Sequence, residues 1–241
     1  MAILVKTPVP ILVLAALGTF LLLRRRGQNR GDGTDRVLVF LPPLVFLCFA
    51  LLSRLNLGVR HVLPAFPFLL LLAGFAAAEL LNTRRRWPRL FLALAAAWLL
   101  VGTLRVFPHF LAYFNEVAGG PRNGIHWLVD SNLDWGQDLA RLKPWMQRNN
   151  VQRVNLCYFG NADPTYYGID FVGLPGSWGV WDSRSPANPE LPGYVVISVT
   201  NLAGVGLQTP ELRAYYKRPL ERATLVDTMG YSMFVYDVPA R

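Results

Sequence analysis

Cysteine and histidine are scarce: two cysteines and three histidines stand among 241 residues. Cys48 falls in an apolar run and Cys157 in a strand-like segment, so a bridge would have to join two dissimilar regions. Both are read as unpaired thiols behaving as small hydrophobes. No zinc-ligand spacing, glycine-rich phosphate loop or nucleophile elbow occurs, which removes the motif-borne routes to zinc, nucleotide and acyl-transfer chemistry. Internal repeats and low-complexity tracts are also missing. Charge is sparse, at 16% of residues against 53% hydrophobic, too little for an ordinary soluble domain. Acids are rarest in the first half. Residues 1–108 hold 13 Lys or Arg against three acids, whereas residues 109–241 hold 11 against 12. The net charge of +9 therefore belongs to the apolar half, where it marks loop sidedness, and no nucleic-acid partner is expected.

Four apolar runs fill that half, at about 3–23, 37–53, 62–81 and 90–108, each long enough to span a hydrocarbon core of ~30 Å when flanking arginines snorkel. They are apolar around their whole circumference, unlike the one-sided helices of a soluble fold. Arg24-Arg25-Arg26 follows the first run rather than preceding it, against the order of a cleaved signal peptide. Pro42-Pro43 should kink the second run. Five arginines lie in the loop 24–36 and four in 82–89, but only Arg54 and Arg60 in 53–61. The positive-inside bias puts the first two loops in the cytoplasm and the amino terminus, residues 53–61 and everything after 108 on the outer face.

The stretch Gly119–Leu139 separates this bundle, residues 1–108, from a polar, Pro- and Gly-punctuated half. Residues 109–129 read as an interfacial junction, with His109–Glu116 continuing the fourth span as an amphipathic piece whose Tyr113 and Phe114 suit the aromatic belt. Residues 130–241 alternate helical and strand patterns. Trp135–Asn149 predicts a helix, begun by a cap from Asn132 or Asp134, and Pro210–Tyr216 a second. Val154–Phe159, Tyr194–Thr200, Ala223–Val226 and Ser232–Val238 predict strands, and 173–193 a long loop. The expected fold is a four-helix membrane bundle followed by a small extracytoplasmic α/β domain.

Four places could carry chemistry. Arg60 and His61, in the outer loop, pair a permanent cation with an imidazole at headgroup level, suited to a lipid phosphate; snorkelling and helix capping are the plainer alternatives. Asp130, Asn132 and Asp134 space their oxygens like the start of a calcium loop. The glycine, however, comes one place late, and the twelfth position is Arg141, so a divalent cation has only partial support and capping is the competing reading. Glu116 is the acid nearest the outer surface, a candidate base for an incoming hydroxyl or simply an exposed carboxylate. Trp127, Trp135, Trp178 and Trp181 could stack on sugar rings or be buried in the domain.

Asn56-Leu-Gly-Val-Arg-His-Val-Leu-Pro64, Tyr113-Phe-Asn-Glu116, Gly119-Gly-Pro-Arg-Asn-Gly124 and Asp130-Ser-Asn-Leu-Asp-Trp-Gly-Gln-Asp-Leu139 together resemble bacterial polytopic membrane glycosyltransferases related to the protein O-mannosyltransferases. Tyr158-Phe-Gly160 and Asp163-Pro-Thr-Tyr-Tyr-Gly168 fit the same pattern, so the resemblance covers nearly the whole chain. It implies sugar transfer from a polyprenyl-phosphate donor to an acceptor glycan, lipid or protein on the outer face of a bacterial plasma membrane. It also implies Arg60 and His61 at the donor phosphate; Asp130, Asn132, Asp134 and Trp135 are the candidates for the acceptor or sugar, and no metal ligand is assigned. In such enzymes the catalytic acid lies in an amino-terminal half. The loop 53–61 has no Asp or Glu, so this chain is expected to be the carboxy-terminal portion, partnered by a separate half and inactive alone. The alternative is a non-catalytic, membrane-anchored subunit that binds carbohydrate or protein.

Overall fold

The structure, a computed structural model, describes residues 1–25, 32–53, 58–177 and 192–240. It divides into two compact units, Met1–Asn123 and Gly124–Arg241.

In the first unit, α1 (Ala2–Lys6) and α2 (Val9–Arg24) replace the single expected span over 3–23. Pro8 explains the break: the residue before a proline is pushed out of the helical region, and Thr7 is extended at φ −100°, ψ 135°. α3 (Asp32–Leu52) runs on through Pro42 and Pro43 as one helix. α4 (Val59–Val62) passes through a 3₁₀ turn at Leu63–Ala65 into α5 (Phe66–Asn82), and α6 (Arg86–Val106) follows.

Three helical runs, Gly33–Leu52, Val59–Asn82 and Arg86–Val106, are long and apolar enough to cross a membrane; α2 is shorter. Their large side chains point outward: Leu38, Leu41, Leu44, Phe49, Leu70, Leu94 and Leu100 are all exposed. An apolar exterior of this extent needs an apolar solvent, the property that marks a membrane protein.

α2 and α5 run parallel, packed closely along their lengths, with Gly18 against Leu72 and Arg25 paired to Glu79 at 2.6 Å. The connectivity therefore gathers Arg24, Arg25 and Arg84–Arg86 at one end of the bundle. The start of α1, the start of α4 and the finish of α6 lie at the other end, where α1 packs on α4.

The amphipathic extension of the fourth span does not form. α6 stops at Val106, a cis Phe107–Pro108 bond follows, and the chain continues as 3₁₀ turns at Phe110–Ala112 and Glu116–Ala118 with extended links. Pro108 lacks the N–H, and its ring has no room in a continuing helix.

The second unit is a three-layer α/β fold. Its sheet has the order β2-β1-β3-β5-β4, with β1 (Val154–Cys157) parallel to both β2 (Phe171–Gly173) and β3 (Gly193–Ser198). β5 (Met233–Val238) runs antiparallel to β3 and to the edge strand β4 (Thr224–Met229). Alternation along the central strands sorts the core. Leu156, Tyr158, Val196 and Val235 face α7 (Leu139–Arg148), which supplies Leu139, Leu142, Trp145 and Met146. Cys157, Val195 and Ile197 face the opposite layer, which holds Tyr216 of α9 (Pro210–Glu221).

The expected strands form with shifted ends. β3 stops at Ser198, where the chain turns into α8 (Val199–Leu202), and the three-residue β2 adds a strand that its short sequence does not announce. α9 runs five residues past the expected Tyr216. Most of the expected loop 173–193 lies outside the described residues, as do Trp178 and Trp181. Both cysteines are free; Cys157 is buried as expected, whereas Cys48 is exposed on α3.

Candidate functional site

Two groups of residues deserve a chemical reading, one in each unit. In the first, the junction is fastened to the amino terminus by Asn115, which is 1% exposed. Its Nδ2 donates to the carbonyls of Leu4 (2.6 Å) and Thr7 (2.9 Å), its backbone N–H to Val5 O (2.9 Å), and its Oδ1 accepts from Ala118 N (3.1 Å). Lys6 adds to the clasp: its ammonium donates to Leu111 O at 2.7 Å and sits 4.2 Å above the Phe114 ring. Neither contact is readable from the sequence, because Lys6 and Asn115 act on partners about a hundred residues away.

That clasp sets the position of the next residue. Glu116 is exposed, and its Oε1 accepts a hydrogen bond from Trp98 Nε1 at 3.0 Å, beside the open flank of Gly102. The carboxylate thus lies along the last turns of α6. Burial, and then the Glu116 charge, push the Tyr113 hydroxyl up to about 12, so it stays protonated near neutrality. On α4, Arg60 is exposed and His61 half-buried. Residues 54–57, including Asn56 of the motif, lie outside the described residues. Arg60, His61, Tyr113 and Glu116 therefore share one end of the bundle, although they come from elements fifty residues apart.

In the second unit the acid-rich segment is folded on itself. Asp130 takes a left-handed φ of 57° and opens a 3₁₀ turn to Asn132, whose Nδ2 donates to Val129 O at 2.9 Å. Asp134 has no exposed surface; its Oδ1 accepts from Gly136 N at 2.9 Å and its Oδ2 from Thr200 N at 3.4 Å. The helix starts at Leu139 after Asp138, not at Trp135, and neither Asn132 nor Asp134 caps it. The reason is local: the Asp134 carboxylate closes a turn on Gly136, whose φ of +74° stops helix growth there. Tyr158 OH donates to Gly136 O at 3.0 Å and fills the space that a Cβ on Gly136 would need.

Asn132 and Asp134 are thus enclosed, whereas Trp135 is half-exposed and Asp130 partly so. Trp127 and Tyr166 are further exposed aromatics of this unit. Among the described residues, no three His, Cys, Asp or Glu side chains converge as metal ligands.

Burial raises the Asp134 carboxyl to about 6, reinforced by Asp138 and opposed by the Gly136 and Thr200 donors. The folded state then holds a proton that the unfolded chain has released, between pH 4 and 6. This contribution to stability is full below pH 4 and is lost as pH rises through 6, amounting to about 3 kcal/mol for a shift of this size. Chemical denaturation of the full chain at pH 4.5 and 7.5 should show this acid-side gain, and Asp134→Asn should flatten it. Equal slopes for the two proteins would contradict it.

The chain thus combines a membrane-type helical bundle with a small mixed-sheet α/β unit. No family model, curated protein or solved structure matches it.

Proposed function

We propose that this chain is the carboxy-terminal part of a membrane glycosyltransferase that moves a sugar from a polyprenyl-phosphate carrier to an acceptor on the outer face of the membrane. The observation that carries the reading is that Arg60, His61, Tyr113 and Glu116 lie at the same end of an apolar bundle. A lipid-borne phosphate sits at the depth where such a bundle ends. A guanidinium there offers it a bidentate partner and stabilises the charge left on the phosphate as the sugar departs. Glu116, already oriented by Trp98, could accept the proton of an incoming hydroxyl, with the principal acid supplied by a separate amino-terminal half.

The clustering of arginines at the opposite end supports an outward-facing site under the positive-inside bias, and α2 would make the fourth span beside its close-packed neighbour α5. Trp135, Trp127 and Tyr166 give the second unit aromatic surfaces of the kind that stack on sugar rings. A membrane-anchored carbohydrate-binding subunit would use those same aromatics without the bundle-end charges.

The test is donor binding in the enzyme reconstituted with its amino-terminal half. Arg60→Ala should weaken polyprenyl-phosphate binding roughly tenfold, the size of one charge-assisted contact, without changing the unfolding midpoint. Glu116→Gln should lower turnover with donor affinity kept. Donor affinity within twofold of wild type for Arg60→Ala would remove the transferase assignment of this site. Sugar transfer by the 241-residue chain alone would refute the need for a second half.

A further inference from the structure

The second unit has a cleft of about 390 Å³ between the carboxyl end of β3, the turn after α8 and α9. Its floor is apolar, built from Ile197, Leu202, Leu207 and Leu220, and its rim carries Arg213 and Lys217. The one buried hydroxyl at the floor is already engaged, since Tyr216 OH donates to Pro175 O.

Arg213 is held in place by its own backbone partner: Nε donates to Leu207 O at 2.9 Å, which leaves both terminal nitrogens to other groups. Lys217 follows one helical turn later on the same side. Two cations so spaced repel each other and disfavour the helix unless an anion joins them. No acid lines the cleft, and among the described residues neither cation is paired with a carboxylate. This is a local feature, because residues 109–241 are slightly acidic as a whole.

We propose that this cleft binds a single-chain anionic amphiphile, with a carboxylate or phosphate head on Arg213 and Lys217 and an aliphatic stem on the leucine floor. The fixed guanidinium matches a two-oxygen head. The volume stands at the low end of small-molecule pockets, ~300–1,000 Å³, which admits one short chain and leaves no room for two. Gly204 lines the cleft with a φ of +85°, which disfavours any other residue there. The site is separate from the bundle-end residues and does not depend on the sugar-transfer reading.

The test uses the full chain in phosphatidylcholine nanodiscs, with dansyl-undecanoic acid as probe and empty nanodiscs subtracted. Saturable probe fluorescence should be displaced by decanoate and decyl phosphate but not by decanol. Whichever of the first two displaces better identifies the natural head group, and either supports the site. Arg213→Ala/Lys217→Ala should weaken probe binding at least tenfold with the circular dichroism spectrum unchanged. Arg218→Ala, on the same helix but off the cleft, should leave it within twofold. Unsaturable probe uptake, displacement by decanol equal to that by decanoate, or a double variant binding like wild type would each overturn the proposal.

Discussion

Replacing Gly18 with leucine should prevent the first unit from assembling, and alanine alone should destabilise it severely. A Cβ at position 18 would lie 1.9 Å from Leu72 O and 2.7 Å from Leu72 C, atoms of the facing helix backbone. A flexible side chain could swing away from such a contact, but a helix carbonyl can yield only if α2 and α5 separate. That separation would reach the rest of the α2–α5 interface, including the Arg25–Glu79 pair at its far end. Overpacking typically costs about 1–3 kcal/mol where neighbouring side chains can shift, so a backbone-to-backbone conflict should lie at or above the top of that range. Gly74, on α5 itself, is the internal control: nothing stands within 4 Å of its would-be Cβ. Gly74→Ala should be neutral or stabilise by about 0.5–1 kcal/mol, the usual gain from removing a mid-helix glycine. Thermal unfolding in detergent, followed by size-exclusion chromatography, separates the cases. A monodisperse Gly18→Leu protein with a wild-type midpoint would show that the two helices are not in this contact.

The apolar runs were legible because membrane-scale length and uniform apolarity are properties of a window, and three of them appear as helices of that length. The strands were legible because Val, Tyr and Phe alternate between the turn residues. Two of the differences share one cause, a local residue type with two possible uses. Asn132 and Asp134 sit where an N-cap would, but the same short side chains can close a turn instead, and Gly136 decides for the turn. Pro8 serves both uses, opening a helix at Val9 and ending another at Lys6 where a single span was expected.

The candidate site was half visible. Arg60, His61 and Glu116 were readable as charged residues near span ends, whereas Trp98 as the partner of Glu116 and Asn115 as the clasp were not. Those partners are set by the return path of the chain rather than by sequence spacing. The same distance effect hid the partner of Asp138, a residue of the quoted motif whose carboxylate accepts from Ser232, 94 residues on.

Asp138 and Gly230 should behave as one unit under mutation. The Asp138 carboxylate is 1% exposed and accepts from Ser232 Oγ at 2.7 Å, Arg141 Nε at 2.9 Å and Gln137 Nε2 at 3.4 Å. It occupies the space beside Gly230, where a Cβ would fall 2.0–2.1 Å from all three carboxyl atoms. Gly230 also has φ +58° in the turn between β4 and β5, so alanine there meets backbone strain as well as the clash.

Asp138→Ala should cost about 2–4 kcal/mol, because Ser232 loses its buried acceptor. Arg141 contributes less, being half-exposed and able to turn to water. Gly230→Ala should cost a similar amount, from strain plus displacement of the carboxylate. In the double variant the carboxylate is gone and the new methyl can enter its place, so the clash component disappears and only strain remains. The two costs should therefore fall short of additivity by at least ~1 kcal/mol, the range seen for residues in direct contact. Denaturant unfolding of the full chain, read from the tryptophans of the second unit, measures all four corners of this cycle. Costs that simply add would mean that Asp138 does not fill the hollow beside Gly230, and that the helix and the hairpin are joined by some other contact.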